Sequence, residues 1–309
     1  MEFGVNLAGL QLEHPIMNAA GTCKRAEDVE KLANSAAAAI MVGSGTMAAR
    51  TGNEGNVYEM DPVRGAYSLN SLGLPNPGRL YYEQELPRMT QTAHDAGKPL
   101  IFSGAGFSPE EYVILGQVAD AAGVDVYEAN LGCPNVWDGG KQKRIASFEP
   151  TLVREIVLRL QTVLSPRIRL VLKVSPFSDP VLLEQIAIEA QSGRVAGVAC
   201  INAFANGFGL RLDGNRLITP GDGLAGLAGP ALKPIGLGQV KQWRKLLPET
   251  ITVIGIGGIS TGCDVWEYQQ VGAGPVAIAT AYANRGEKVF SQILQEYVDT
   301  VEQKAEASV

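Results

Sequence analysis

The sequence predicts an α/β protein of the (β/α)8 TIM barrel class, with long active-site loops at the C-terminal face of the barrel. Three observations carry that expectation. Eight short runs rich in Val, Ile and Ala recur along the 309 residues. Amphipathic stretches separate them, which is the pattern of βα units around a parallel sheet. No Pro-, Ser- or charge-rich linker divides the chain, so residues 1–309 read as one domain, within the size that a barrel reaches as a single unit.

In order, the predicted strands are Pro15–Ala20, Ala37–Val42, Pro99–Ser103, Val124–Asn130, Ile168–Val174, Val198–Asn202, Ile251–Ile256 and Val276–Thr280. Several are almost wholly apolar, as strands buried on both faces are. Helices are expected over Ala26–Asn34, Glu83–Ala96, Pro109–Ala122, Thr151–Leu164, Pro180–Gln191, Leu237–Leu247, Cys263–Val271 and Lys288–Val301. Two intervening segments, Gly43–Leu80 and Ala203–Leu237, are too long for simple connections and are rich in Gly, Asn and Pro. Long loops on a barrel usually carry binding function.

Composition narrows the chemistry. Twenty-six basic against 32 acidic side chains give a net charge of −6, a poor match for nucleic acid, whose phosphates need basic patches. No apolar run reaches the length of a membrane span and the N-terminus lacks a signal pattern, so a soluble, cytoplasmic protein is expected. The four cysteines, Cys23, Cys133, Cys200 and Cys263, have no metal-type or disulfide-framework spacing. With only His14 and His94, neither a histidine metal site nor a serine–histidine triad is expected, and no metal is assigned.

Barrel enzymes place their chemistry at strand C-termini, which gathers Asn18, Ser44, Asn130, Cys133, Lys173, Asn202 and Thr280 at one mouth, with His14 at the opposite end. Asparagines and one lysine suit a neutral, planar, hydrogen-bonding ligand. The last two βα turns, Gly255–Ser260 and Ile278–Ala281, lie where barrels bind phosphate through backbone N–H groups, although Gly257 and Gly258 alone also fit a mere tight turn. Cys133 follows a strand end between Gly132 and Pro134, with Asn130 and Asn135 flanking it. That setting favours an exposed site thiol over a small buried hydrophobe, and such a thiol takes up a proton if its surroundings stabilise the thiolate. The other three cysteines read as structural.

Five segments then bear a resemblance to a known family: Met17–Gly21, Asn70–Asn76, Asn130–Asn135, Gly226–Gly229 leading to Lys233–Pro234, and Gly255–Gly262. The chain resembles the flavin-dependent dihydroorotate dehydrogenases of class 1, closest to class 1A, over nearly its whole length. The resemblance implies FMN in the barrel mouth, its phosphate at Gly229, Gly257, Gly258, Ala279 and Thr280 and its ring near Ala20, Gly21, Ser44, Asn130 and Lys173. It implies Cys133 as the base that takes a proton beside the substrate carbonyl while hydride passes from the adjacent carbon to flavin N5. Substrate binding would fall to Asn70, Gly73, Leu74, Asn130, Asn135 and Asn202. It further implies a role in pyrimidine biosynthesis, a soluble electron acceptor such as fumarate, and a homodimer.

Three departures stand out. Gly43 occupies the place of a family lysine, Ala203 that of a hydroxyl residue, and Glu54–Asn56 that of a proline–arginine segment. Each bears on the substrate pocket, where an uncompensated carboxylate would cost several kcal/mol to bury. A basic run, Lys141, Lys143 and Arg144, reads equally as a lid over that carboxylate or as a solvated loop. Two alternatives therefore stay open: a divergent relative acting through FMN on another small unsaturated carbonyl compound, and a non-redox phosphate-binding barrel.

Overall fold

The computed structural model describes residues 3–134, 137–138, 141–142 and 144–307. Eight parallel strands form a nearly closed barrel: β1 (Ile16–Asn18), β2 (Ile40–Gly45), β3 (Leu100–Gly104), β4 (Val126–Asn130), β5 (Arg169–Val174), β6 (Val195–Cys200), β7 (Thr252–Ile256) and β8 (Val276–Ile278). Ladder pairing runs β1–β8–β7–β6–β5–β4–β3–β2. The seam between β1 and β2 is bridged by a side chain. Fully buried Asn18 donates from Nδ2 to Met41 O at 2.8 Å and accepts from Met41 N at 2.8 Å. This strand-end asparagine, expected at the mouth, thus serves barrel closure.

The helices are α1 (Ala26–Ala33), α2 (Arg79–Asp95), α3 (Pro109–Ala121), α4 (Pro150–Val163), α5 (Pro180–Gln191), α6 (Lys233–Leu246), α7 (Gly262–Gln270), α8 (Thr280–Arg285) and α9 (Lys288–Glu306). Their starts are chemically marked. Ser108 and Asp179 accept first-turn N–H groups of α3 and α5, each ahead of a proline at the first helical position. Thr261 and Asp264 cap α7 reciprocally. Helix α6 begins four residues earlier than the sequence pattern implies, and Thr280 opens α8 where a strand end was expected.

Two cores result. Inside the barrel, Met17, Met41, Ile101, Val126, Val171, Ala199, Ile254 and Ala277 pack together. An N-terminal hairpin, Val5–Leu7 with Leu10–Leu12, closes the bottom of that core with Leu7, Ala8 and Leu12. Outside, the helices bury Trp243, Tyr82, Tyr127, Phe102 and Tyr268 against the sheet. The two long segments expected as loops instead meet in a four-stranded antiparallel sheet ordered 204–207, 225–228, 68–70 and 58–60. It has its own small core of Leu69, Leu217, Ile218 and Ala225.

Candidate active site

A cavity of about 730 Å³ opens at the C-terminal ends of the strands. Ten of the residues singled out in the sequence line it: Ala20, Gly21, Asn70, Lys173, Asn202, Gly229, Gly257, Gly258, Ala279 and Thr280. A smaller pocket of about 100 Å³ continues from it and adds Ser44, Gly73 and Leu74. Asn130 and Cys133 line a third pocket, which shares Leu74 with the second. Asn135 and Lys143 lie outside the described residues, as does the side chain of Lys141.

At the far end of the cavity the walls are backbone. Gly229, Gly257 and Gly258 have φ of +79°, +129° and +70°, conformations that glycine adopts without strain. A Cβ at Gly258 would lie 2.6 Å from Lys233 N and 2.9 Å from Gly229 O, so a side chain here would push on main chain. The N–H groups of Gly257, Gly258, Ala279 and Thr280 make no backbone hydrogen bond among the described residues. Tyr268 braces the turn from α7 by donating to Gly257 O at 2.7 Å, and Asp264 accepts from Ser260 N and Thr261 N at 2.8 Å each. Lys233 in turn holds Asp264 and Glu267 at 2.6 Å. Convergent, preorganised donors of this kind suit a phosphate.

At the near end the walls are side chains. A buried relay runs from Glu128 Oε1, which accepts from Ser103 Oγ at 2.8 Å, through the Ser103–Ser44 hydroxyl pair at 2.9 Å, to Asn130 Nδ2, which donates to Ser44 Oγ at 2.8 Å. Asn130 Oδ1 also accepts from Gly132 N, so part of its amide shapes the turn that carries Cys133. Burial pushes the fully buried Glu128 carboxyl above the usual range, opposed by the charge of Lys173 and the Ser103 hydrogen bond. Lys173 is 4% exposed, lines the large cavity and acts electrostatically on Glu128.

Beside this relay the chain turns sharply at Gly73 (φ +73°) and Leu74 (φ +59°). The N–H groups of residues 72, 73 and 74 make no backbone hydrogen bond among the described residues, and Leu72, Gly73 and Leu74 all line the small pocket. Successive N–H groups in such a turn form an anion-binding concavity. Asn202 lines both pockets; its Oδ1 accepts from Ala203 N, leaving the Nδ2 donors for a ligand.

The cysteines separate by environment. Cys23 and Cys200 are fully buried and burial pushes both thiols up, which leaves them inert at neutral pH. Cys133 is partly exposed in its pocket. Gly132 fixes its approach, since a Cβ there would lie 2.9 Å from Ser175 N and 3.1 Å from Asn202 Cβ. Arg144 lines the same pocket and pairs with Glu149 at 3.5 Å.

Sequence reasoning missed the Ser44–Ser103–Glu128 relay and a lysine, Lys24, in the wall of the small pocket. The signal for the relay was Glu128, a carboxylate inside an otherwise apolar strand.

Comparison with known proteins agrees with this geometry. Residues 3–301 match the family described as dihydroorotate dehydrogenase. A Kluyveromyces lactis protein named dihydroorotate dehydrogenase (fumarate) is 33% identical over 310 residues, covering 99% of this chain and 95% of that one. The dihydroorotate dehydrogenase A (fumarate) of Lactococcus lactis subsp. lactis is 32% identical over 308 residues, covering 98% and 95%. A crystal structure of DHODH from Eimeria tenella in complex with ferulenol superposes with a TM-score of 0.80 at 19% identity, over 98% of this chain and 85% of that one, which speaks for the fold.

Proposed function

From the premise that this chain belongs to the dihydroorotate dehydrogenase family, we propose that it is an FMN-dependent oxidoreductase that converts dihydroorotate to orotate. The observation that carries the reading is one continuous space with a backbone-lined anion site at its far end and an amide-lined pocket at its near end.

The residues here fit FMN: the N–H groups of Gly257, Gly258, Ala279 and Thr280 beside Gly229 would hold its phosphate, and Ala20, Gly21, Ser44 and Lys173 would face its ring, with Asn130 bonded to Ser44 from the neighbouring pocket. When bound, it supplies the two-electron acceptor that takes hydride from the substrate. The chain's own residues do the rest. The 72–74 N–H groups, with Gly73 and Leu74 at their turn, hold the substrate carboxylate, while Asn70, Asn202 and the remaining donor of Asn130 hold ring amide and carbonyl groups, joined by Asn135. Cys133 Sγ takes the proton from the carbon beside the substrate carbonyl. Hydride leaves the adjacent carbon, so the substrate loses two electrons and two hydrogens overall and gains the ring double bond.

A soluble acceptor such as fumarate would reoxidise the protein, a cytoplasmic setting would suit it, and residues 1–309 would act as one domain. Among the described residues no helix is long and apolar enough to cross a membrane. A second copy of the chain would cover Phe204, Phe208, Leu210 and Leu212, apolar side chains that are all at least 42% exposed.

The test is turnover of purified, FMN-reconstituted protein with dihydroorotate and fumarate. Orotate and succinate in equal amounts are expected. No orotate from protein whose flavin dithionite still reduces would contradict the reading and favour a different unsaturated carbonyl substrate.

A further inference from the structure

The small pocket holds three amide or hydroxyl side chains and the 72–74 turn, but among the described residues only one charged residue lines it, Lys24. Lys24 lies in the loop between β1 and α1 and is partly buried. Its ammonium has no hydrogen bond or ion pair among the described residues. Asp28, the nearest acid acting on it, spends Oδ2 on the backbone N–H groups of Lys24 and Arg25. Burial draws the Lys24 ammonium below the usual lysine range, opposed by Asp28, as befits a cation short of a counter-charge.

Among the described residues the other cations near the mouth stand outside the small pocket. Lys173 faces the large cavity and acts on buried Glu128. Arg144 pairs with Glu149 in the Cys133 pocket, and Arg50, which donates from Nε to Gly73 O at 2.9 Å and lies over the Phe107 ring, lines the adjoining cavity and not this pocket. Position 43 provides none, and the backbone there leaves no space for one, because a Cβ at Gly43 (φ +115°) would collide with Ser103 O. Lys24 also lines an adjoining open cavity with Arg25 and Arg50, where the described lining residues include no carboxylate, so an anion approaching from that side meets three cations.

Resting on the reading of the site given above, we infer that Lys24 is the specificity-determining cation of this chain. It pairs with the carboxylate seated on the 72–74 turn and so selects small unsaturated carbonyl compounds that carry an anionic group over neutral analogues.

Equilibrium binding to the FMN-loaded protein tests it with two ligands, orotate and uracil, which lacks the carboxylate. Lys24→Met is expected to weaken orotate about 10- to 100-fold, the loss of a charge-assisted hydrogen bond, and to leave uracil within about threefold. Lys24→Arg, which keeps the charge, is expected to retain orotate within about fivefold. Orotate binding equal in wild type and Lys24→Met overturns the inference alone, as does an equal loss of orotate and uracil. Wild-type protein that binds FMN but not orotate overturns the inference together with the functional reading beneath it.

Discussion

The two ends of the mouth are built by different means. At the ends of β7 and β8 the wall is main chain in glycine conformations, braced from behind by Tyr268, Asp264 and Lys233. At the ends of β2 to β5 it is side chain: Ser44, Asn130, Cys133 and Lys173, held by a relay anchored on a buried carboxylate. Backbone recognition tolerates little change, since the donor is fixed by the fold. Side-chain recognition can be rewritten residue by residue, and it is there that the sequence reading expects departures at Gly43 and Ala203 and that Lys24 stands in the wall.

Substitutions at each end can break or sharpen that contrast. The largest effect is expected from Cys133→Ser, which replaces a thiol by a hydroxyl too weakly acidic to serve as base. Flavin reduction by dihydroorotate should slow about 10²- to 10⁴-fold, as for loss of a general base, with FMN affinity and dithionite reduction unchanged. Stopped-flow absorbance reads both, and an unchanged rate would remove Cys133 from the chemistry.

Gly258→Ala should do the reverse. Its Cβ meets Lys233 N and Gly229 O, and its φ of +70° strains any other residue by about 1–3 kcal/mol. FMN affinity should fall about 10- to 100-fold in a fluorescence titration, while the protein that is loaded retains its rate of reduction.

Ser44→Ala acts on the relay, leaving Ser103 and Asn130 each short of a partner in a buried setting. A stability loss of about 1–3 kcal/mol is expected in denaturant titrations, with KM for dihydroorotate rising more than kcat falls. Unchanged stability and KM would show that the hydroxyl pair is incidental.

The smallest effect concerns the brace. Burial alone would lower the Lys233 ammonium, but Asp264 and Glu267 outweigh it and push it up to about 12, against an ordinary 10.5. A raised folded value means that the stabilisation is fully present below about pH 10.5 and fades as pH rises towards about 12. Asp264 is the mirror case. Burial raises its carboxyl, yet Lys233 and the Ser260 N–H hold it below the usual value, so its contribution is present above the ordinary carboxylate range and lost as pH falls through its depressed one. Thermal denaturation of Lys233→Met should lose the alkaline part of this profile; a profile identical to wild type would place the stabilisation elsewhere.

The same contrast explains what could be read from the sequence. The eight barrel strands are short, largely apolar runs and all eight form, within a few residues of their expected bounds. The cavity-lining turn after β7 was visible because glycines mark positions that exclude a Cβ, as at Gly258. The antiparallel sheet was not visible. Its strands are three or four residues long, and Leu69 pairs with Leu227 across more than half the chain, with no local periodicity to announce it. Lys24 was equally hidden, because a lysine in a charged loop before a helix looks solvated until the fold brings it into the wall of the pocket that Gly73 also lines. Gly43 shows the limit in the other direction. As a missing lysine it suggests a simple restoration, but the backbone around it has no room for a side chain, so Gly43→Lys would not test the lost cation.

The account stands or falls on anaerobic mixing of the wild-type, FMN-loaded protein with dihydroorotate while the flavin absorbance is followed. Rapid bleaching with one orotate formed per flavin is the predicted result. Flavin that stays oxidised in the presence of dihydroorotate, yet bleaches with dithionite, would contradict it.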